Sequence, residues 1–277
     1  MEKTNICQSP LEFLAKDSDV AIILIVMNQA ESFSGKLPES AKARLQLLWD
    51  KAIYKASIDG GTNFLHSLNE EITTFEEKFV PDLISGDFDS IYPELLNIYK
   101  EFGSEIIATP DQNHTDFTKC LHILKQKFEN GLIPQVSNII VVTPEFSERL
   151  DHIWANINTI YQASSLLPEI KNFGLLSEKT YTFIVSSGRS NIQLNDAVST
   201  EIALLAVGHP STVTTSGFTK NLNNYELTFG HAMQKFVLNP HSSKSVCITT
   251  TKPLLMFLSV NLWENHHVKY VLTREKL

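Results

Sequence analysis

The sequence predicts an α/β chain in two parts, an N-terminal mostly parallel α/β sheet domain followed by a C-terminal antiparallel β-sandwich. Three observations predict it. Short runs rich in Ile and Val alternate with helix-patterned segments as far as about residue 165, the order expected of an open sheet covered by helices. The first such run, Val20–Met27, is apolar without interruption, as a strand buried on both faces should be. Past Ile170 the helical patterns give way to short β-prone pieces separated by Gly, Asn, Ser and Pro.

Further strands are expected at Lys55–Asp59, Asp82–Ser85, Glu105–Thr109 and Asn138–Thr143, each short and rich in Ile or Val. A helix over Ile91–Phe102 follows from Asp89 and Ser90 as capping residues, Pro93 in the first turn and Gly103 at the end. The helix over Asp116–Asn130 is clearer. Phe117, Cys120, Leu121, Leu124 and Phe128 repeat at helical spacing, and Gly131 is placed to stop it. The run after His152 reads as another helix. In the C-terminal part, strands are expected at Tyr181–Val185, Ile192–Leu194, Glu201–Val207, Thr212–Thr215, Glu226–Phe229 and Ser245–Thr250. The boundary falls near Ser165–Lys171, giving domains of 1–168 and 169–277.

Composition narrows the function. The 277 residues are 43% hydrophobic and 19% charged, a globular balance that excludes collagen-like and wholly disordered chains. No apolar run approaches the roughly 20 residues needed to span a bilayer, and the first residues lack a signal-peptide pattern, so a soluble cytoplasmic protein without a membrane partner is expected. Cys7, Cys120 and Cys247 are scattered, which argues against a disulfide framework or zinc knuckle and suits a reducing compartment. The net charge of -8 is uneven: residues 1–170 carry 13 Lys/Arg against 25 Asp/Glu, and residues 171–277 carry 10 against 6. An acidic chain is a poor partner for nucleic acid. A phosphorylated ligand of the acidic part would be met through a divalent metal.

The dense polar segments follow the expected strands, where open α/β sheets bind ligands. In Asp59-Gly60-Gly61-Thr62-Asn63 the glycines allow a ligand close to the backbone, although an ordinary strand-to-helix turn accounts for them equally well. In Ser85-Gly86-Asp87-Phe88-Asp89-Ser90, two carboxylates one residue apart in extended chain project the same way and can share a hard cation; otherwise Asp89 caps the next helix. Thr109–Asp116 is polar throughout and opens a helix, whose first amides can hold phosphate while Asp116 joins Asp87 and Asp89. Arg149-Leu150-Asp151-His152 offers a phosphate clamp or, more simply, a surface ion pair. There is no GxxxxGK[ST], GxSxG or HExxH, and His266-His267 has no second ligand pair. Trp49, Trp154 and Trp263 sit among apolar residues and read as core or interface.

Together, Asp59–Asn63, Ser85–Ser90, Thr109–Cys120 and Arg149-x-Asp151-His152, in this order and spacing, resemble the eukaryotic thiamine pyrophosphokinases. Val207-Gly208-His209-Pro210, Thr214-Thr215-Ser216-Gly217, Asn221-Leu222 and Pro253-Leu254-Leu255 look like that family's C-terminal domain. The resemblance covers nearly the whole chain from about Val20. It implies a homodimeric enzyme that transfers pyrophosphate from ATP to the hydroxyl of thiamine with Mg²⁺. It places the metal on Asp87, Asp89 and Asp116, and ATP near Asp59, Gly60, Asn63, Gln112, Thr115 and Arg149. Asp151 lines the site, and either Asp116 or Asp151 would take the hydroxyl proton. Thr215, Ser216 and Lys220 would fall near thiamine, Lys220 standing where the family has a stacking tryptophan. The glycine-rich stretch usual before Arg-x-Asp reads Thr143-Pro144-Glu145-Phe146-Ser147-Glu148 here. Two alternatives remain: a non-catalytic paralogue acting as a binding or regulatory subunit, and a pyrophosphokinase or nucleotide hydrolase with another acceptor.

Overall fold

The computed structural model describes residues 5–15, 17–28, 39–70, 72, 74, 78–144, 149–230 and 239–260. It divides into two compact units, Asp19–Glu178 and a second made of Met1–Ser18 with Lys179–Leu277. The first strand of the chain, β1 (Asn5–Gln8), belongs to the second unit, where it pairs in parallel with Arg189–Ile192.

Within Asp19–Glu178 the elements run β2 (Ile22–Val26), α1 (Glu39–Lys51), β3 (Ala52–Ile58), α2 (Gly61–Asn69), β4 (Leu83–Gly86) and α3 (Pro93–Glu101). They continue with β5 (Glu105–Ala108), α4 (Asp116–Glu129), β6 (Asn138–Val142), α5 (Leu150–Leu166) and β7 (Asn172–Leu176). The strands lie in the order β7-β6-β2-β3-β4-β5, and each neighbouring pair is parallel. β2 is central, and all five of its residues are fully buried, which explains its unbroken apolar sequence. The chain builds outward from β2 through β3, β4 and β5, then returns to place β6 on the other side of β2. That reversal opens a crevice at the carboxyl ends of β2, β3 and β6.

The helix signals act mostly as expected. Thr115 caps α4 by accepting from Thr118 N at 3.1 Å, and Pro93 begins α3. Asp89 and Ser90 do not cap α3, whose N-cap is Tyr92. The α/β unit also extends past the expected boundary near residue 168. β7 adds to the parallel ladder (Asn138↔Asn172 through Val142↔Leu176), so the division falls after Glu178.

The second unit contains β8 (Thr180–Val185), β9 (Gly188–Gln193), β10 (Val198–Leu205), β11 (Ser211–Ser216), β12 (Tyr225–Leu227), β13 (Asn239–Pro240), β14 (Ser245–Thr250) and β15 (Leu254–Val260). One sheet has the order β1-β9-β14-β11-β12; the other strands of this unit follow β13-β10-β15-β8. Pairing is antiparallel except between β1 and β9. Its core includes Phe13, Tyr181, Phe183, Ile202, Ile248 and Met256. The three cysteines are free, and no helix among the described residues is long and apolar enough to cross a membrane. Trp49 packs edge-on against Phe79, Trp154 is partly exposed, and Trp263 and His266-His267 lie outside the described residues.

Candidate active site

A cavity of about 540 Å³ opens at the carboxyl ends of the parallel strands. Of the residues singled out from sequence, Asp59, Gly60, Asp87, Asp89, Gln112, Thr115, Asp116 and Arg149 line it; Asn63 and Asp151 do not. Close backbone packing shapes the floor. A Cβ on Gly61 would lie 2.5 Å from Val26 O, a backbone atom, so that approach requires glycine; one on Gly60 would meet only the Asn28 side chain, at 2.6 Å.

The acidic cluster is Asp59, Asp87 and Asp116. Each offers a carboxylate oxygen, and these oxygens all lie within 4.8 Å of one another. Asp59 follows β3 directly in a left-handed conformation (φ 43°) and is only 7% exposed. Its oxygens accept from Ser90 N and Ile91 N, each at 3.2 Å. Burial pushes its pKa up; hydrogen bonds from Ser90 and Gly60 partly offset this, and the charges of Asp89 and Asp116 push it further up. Asp87 accepts from Gln112 Nε2 at 2.9 Å, the main reason its pKa is lowered. Asp116 stands in the first turn of α4 with Oδ1 2.6 Å from Lys119 Nζ. Three convergent carboxylates are the donor set that a hard divalent cation takes, so the residues fit Mg²⁺.

Asp89 departs from the expectation. The extended run that would aim Asp87 and Asp89 the same way ends at Gly86, and Phe88 adopts φ 66°. That turn packs Phe88 against the Ile84, Ile91, Leu95 and Tyr99 cluster and leaves Asp89 exposed, accepting from Ser90 Oγ. Asp89 stays at the cavity but outside the trio, and Asp59 takes the third place.

Asn63 serves the loop rather than the cavity. Its side chain accepts from Tyr92 N and donates to Ser90 O, tying α2 to the approach of α3. The Thr109–Thr115 turn is likewise internally braced. Asp111 accepts from Asn113 N at 3.1 Å and meets His114 Nδ1 at 2.9 Å, contacts that lower its pKa to about 2. Lys119 Nζ donates to Thr109 O and Asp111 O. Arg149 and Asp151 form a two-pronged exposed ion pair, at 3.1 Å and 2.5 Å. The arginine lowers the pKa of Asp151 through their hydrogen bonds and charge. In the second unit, buried Thr215 exchanges two hydrogen bonds with Leu222, while Ser216 and Lys220 are exposed.

Sequence reasoning missed Lys119, and also Asn28, Thr143 and Asn156 on the cavity wall. For Lys119 a signal existed: a lysine three residues after an aspartate shares its helix face. Thr143 closes an expected strand, whereas Asn28 and Asn156 are isolated polar residues with no motif to mark them.

Residues 45–171 match the family model described as thiamin pyrophosphokinase, catalytic domain. Thiamine pyrophosphokinase 1 of Oryza sativa subsp. japonica is 30% identical over 257 residues, covering 89% of this chain and 90% of the rice protein. Thiamine pyrophosphokinase 1 of Arabidopsis thaliana is 26% identical, covering 86% and 85%. Among solved structures, thiamin pyrophosphokinase from Candida albicans superposes with a TM-score of 0.75 at 20% identity, covering 93% of both chains. The yeast enzyme superposes with a TM-score of 0.77 at 17% identity, covering 93% and 92%. These structural likenesses support a mixed α/β fold with two sheets.

Proposed function

The chain belongs to the thiamine pyrophosphokinase family, and we propose that the cavity at the carboxyl ends of its parallel strands is where it performs that family's reaction. The reaction transfers the pyrophosphoryl group of ATP to the hydroxyl of thiamine, giving thiamine diphosphate and AMP. The hydroxyl oxygen bonds to the β-phosphorus, the bond from that phosphorus to the bridging oxygen breaks, and the bridging oxygen leaves with AMP. The hydroxyl proton is released.

The convergence of Asp59, Asp87 and Asp116 carries this reading. These residues would hold Mg²⁺, which when bound supplies positive charge to the phosphate oxygens. The cavity, at about 540 Å³, is within the range of small-ligand sites. Gln112 fixes Asp87 through its amide. Gly60, Thr115 and Arg149 line the same cavity and are proposed ATP contacts, the guanidinium being suited to phosphate once it exchanges Asp151 for it. Such transfers depend mainly on positioning and charge, which braced loops supply.

The proposal extends to a cytoplasmic homodimer whose second unit is a β-sandwich, with Thr215, Ser216 and Lys220 as thiamine contacts. The charge balance of residues 1–170 (-12) against 171–277 (+4) supports contact between copies. Purified protein given ATP, Mg²⁺ and thiamine should yield AMP and thiamine diphosphate in equal amounts. AMP alone would indicate a hydrolase, and neither product a binding subunit. Light scattering at assay concentration should give a dimer; a fully active monomer would contradict that part.

A further inference from the structure

Lys119 lies on α4 three residues after Asp116 and is 8% exposed. Its ammonium donates to Thr109 O at 2.6 Å and Asp111 O at 2.9 Å, and forms an ion pair with Asp116 Oδ1 at 2.6 Å. One side chain thereby grips a member of the carboxylate cluster and two points on the turn between β5 and α4. That turn carries Gln112, whose amide donates to Asp87 Oδ2 at 2.9 Å.

We infer, resting on the reading of the cluster as a Mg²⁺ site, that Lys119 is a positioning residue for the metal ligands. It holds Asp116 directly, and it holds Asp87 through the turn that delivers Gln112. Two of the three carboxylates are therefore set by one ammonium. Lys127, on the same helix and 9% exposed, shows the contrast: it pairs with Glu105 and does not line the cavity.

Position and charge predict opposite results. Lys119→Met removes a positive charge beside the site, which by itself strengthens attraction for a dication. With the nucleotide analogue saturating in every variant, weaker metal binding by Lys119→Met therefore points to lost positioning. Lys119→Arg keeps the charge, but a planar guanidinium does not reproduce a compact ammonium that pairs with Asp116 and donates to two carbonyls from one nitrogen.

The test measures Mn²⁺ affinity by electron paramagnetic resonance with α,β-methylene ATP present, so that nothing turns over. Both variants should bind Mn²⁺ about tenfold more weakly or worse, the range seen when a ligand's support is removed. In the Mg²⁺ assay, the Mg²⁺ KM should rise by a similar factor while kcat at saturating metal falls less. Lys127→Met should lower the melting temperature and leave Mn²⁺ affinity unchanged. Equal or tighter Mn²⁺ binding by Lys119→Met, or normal binding by Lys119→Arg, would overturn the positioning role alone. If the unsubstituted protein bound no Mn²⁺, the metal reading itself would fall, and this inference with it.

Discussion

Replacing Asp59 by Asn should damage catalysis far more than replacing Asp89 by Asn, although the sequence motif places Asp89 beside Asp87. At Asp59 the substitution removes one of three carboxylates whose oxygens converge within 4.8 Å. Weakening a metal's ligand shell typically costs 10–100-fold, or about 1.4–2.8 kcal/mol. The loss of a direct ligand belongs at or beyond the upper end. A second effect acts on the fold. Ser90 N and Ile91 N each donate to an Asp59 oxygen at 3.2 Å, and an amide offers one acceptor where the carboxylate offered two. One N–H is left facing a donor, at about 1–3 kcal/mol. In the other direction, the same substitution removes a charge that burial already disfavours. The two effects oppose, so the urea midpoint should move little while kcat/KM falls by about 100-fold or more. Asp89 is exposed, and its carboxylate accepts only from the neighbouring Ser90 hydroxyl among the described contacts. Losing a surface charge is worth about 1 kcal/mol or less, a factor of about five. Steady-state kinetics at saturating Mg²⁺ on both variants decide the matter. If Asp89→Asn were inactive and Asp59→Asn near normal, the assignment of the third carboxylate would be wrong.

Three other perturbations test how the site is built. Thr115→Ala removes the α4 cap, which should cost about 1 kcal/mol and lower the melting temperature by roughly 2–4 °C; no change would mean another group takes the Thr118 amide. Gly61→Ala gains helix propensity of about 1 kcal/mol, but its Cβ would meet Val26 O at 2.5 Å, so net destabilisation by ~1–3 kcal/mol should appear in urea melts, and a stabilised variant would refute the close approach. Asp111 has its pKa lowered from 3.8 to about 2, so its stabilising contribution is present above about pH 4 and lost as pH falls towards 2. Its ¹³C carboxyl resonance should titrate near 2 and move back towards 3.8 in His114→Ala; titration near 4 in the unsubstituted protein would show that the His114 and Asn113 contacts do not persist in solution.

The legible features are those with a periodicity or a flanking signal. β2 and α4 are plain in the sequence because one is apolar throughout and the other repeats Phe117, Cys120, Leu121 and Leu124 on its buried face. β1, β7 and β15 are strands that the sequence reading does not find. β7 contains Gly174, which weakens a strand signal, and β15 is too evenly apolar for alternation to show. At the site, Asp87, Gln112 and Asp116 are legible from their position after strand ends. The exclusion of Asp89 from the cluster is not, because it depends on a left-handed turn at Phe88, and an aromatic residue gives no local hint of positive φ. Lys119 escapes notice for a related reason. Its role arises from one ion pair and two accepting backbone carbonyls brought together by the fold, and the carbonyls carry no residue signature.

The central claim is that the pyrophosphoryl group moves as one piece onto thiamine under the control of the acidic cluster. Parallel reactions with [α-³²P]ATP and [γ-³²P]ATP, each with Mg²⁺ and thiamine, test it most directly. The α label should appear in AMP and the γ label in thiamine diphosphate, in equal amounts, with both lost in Asp87→Asn. ADP with thiamine monophosphate, or label released only as free phosphate, would contradict it.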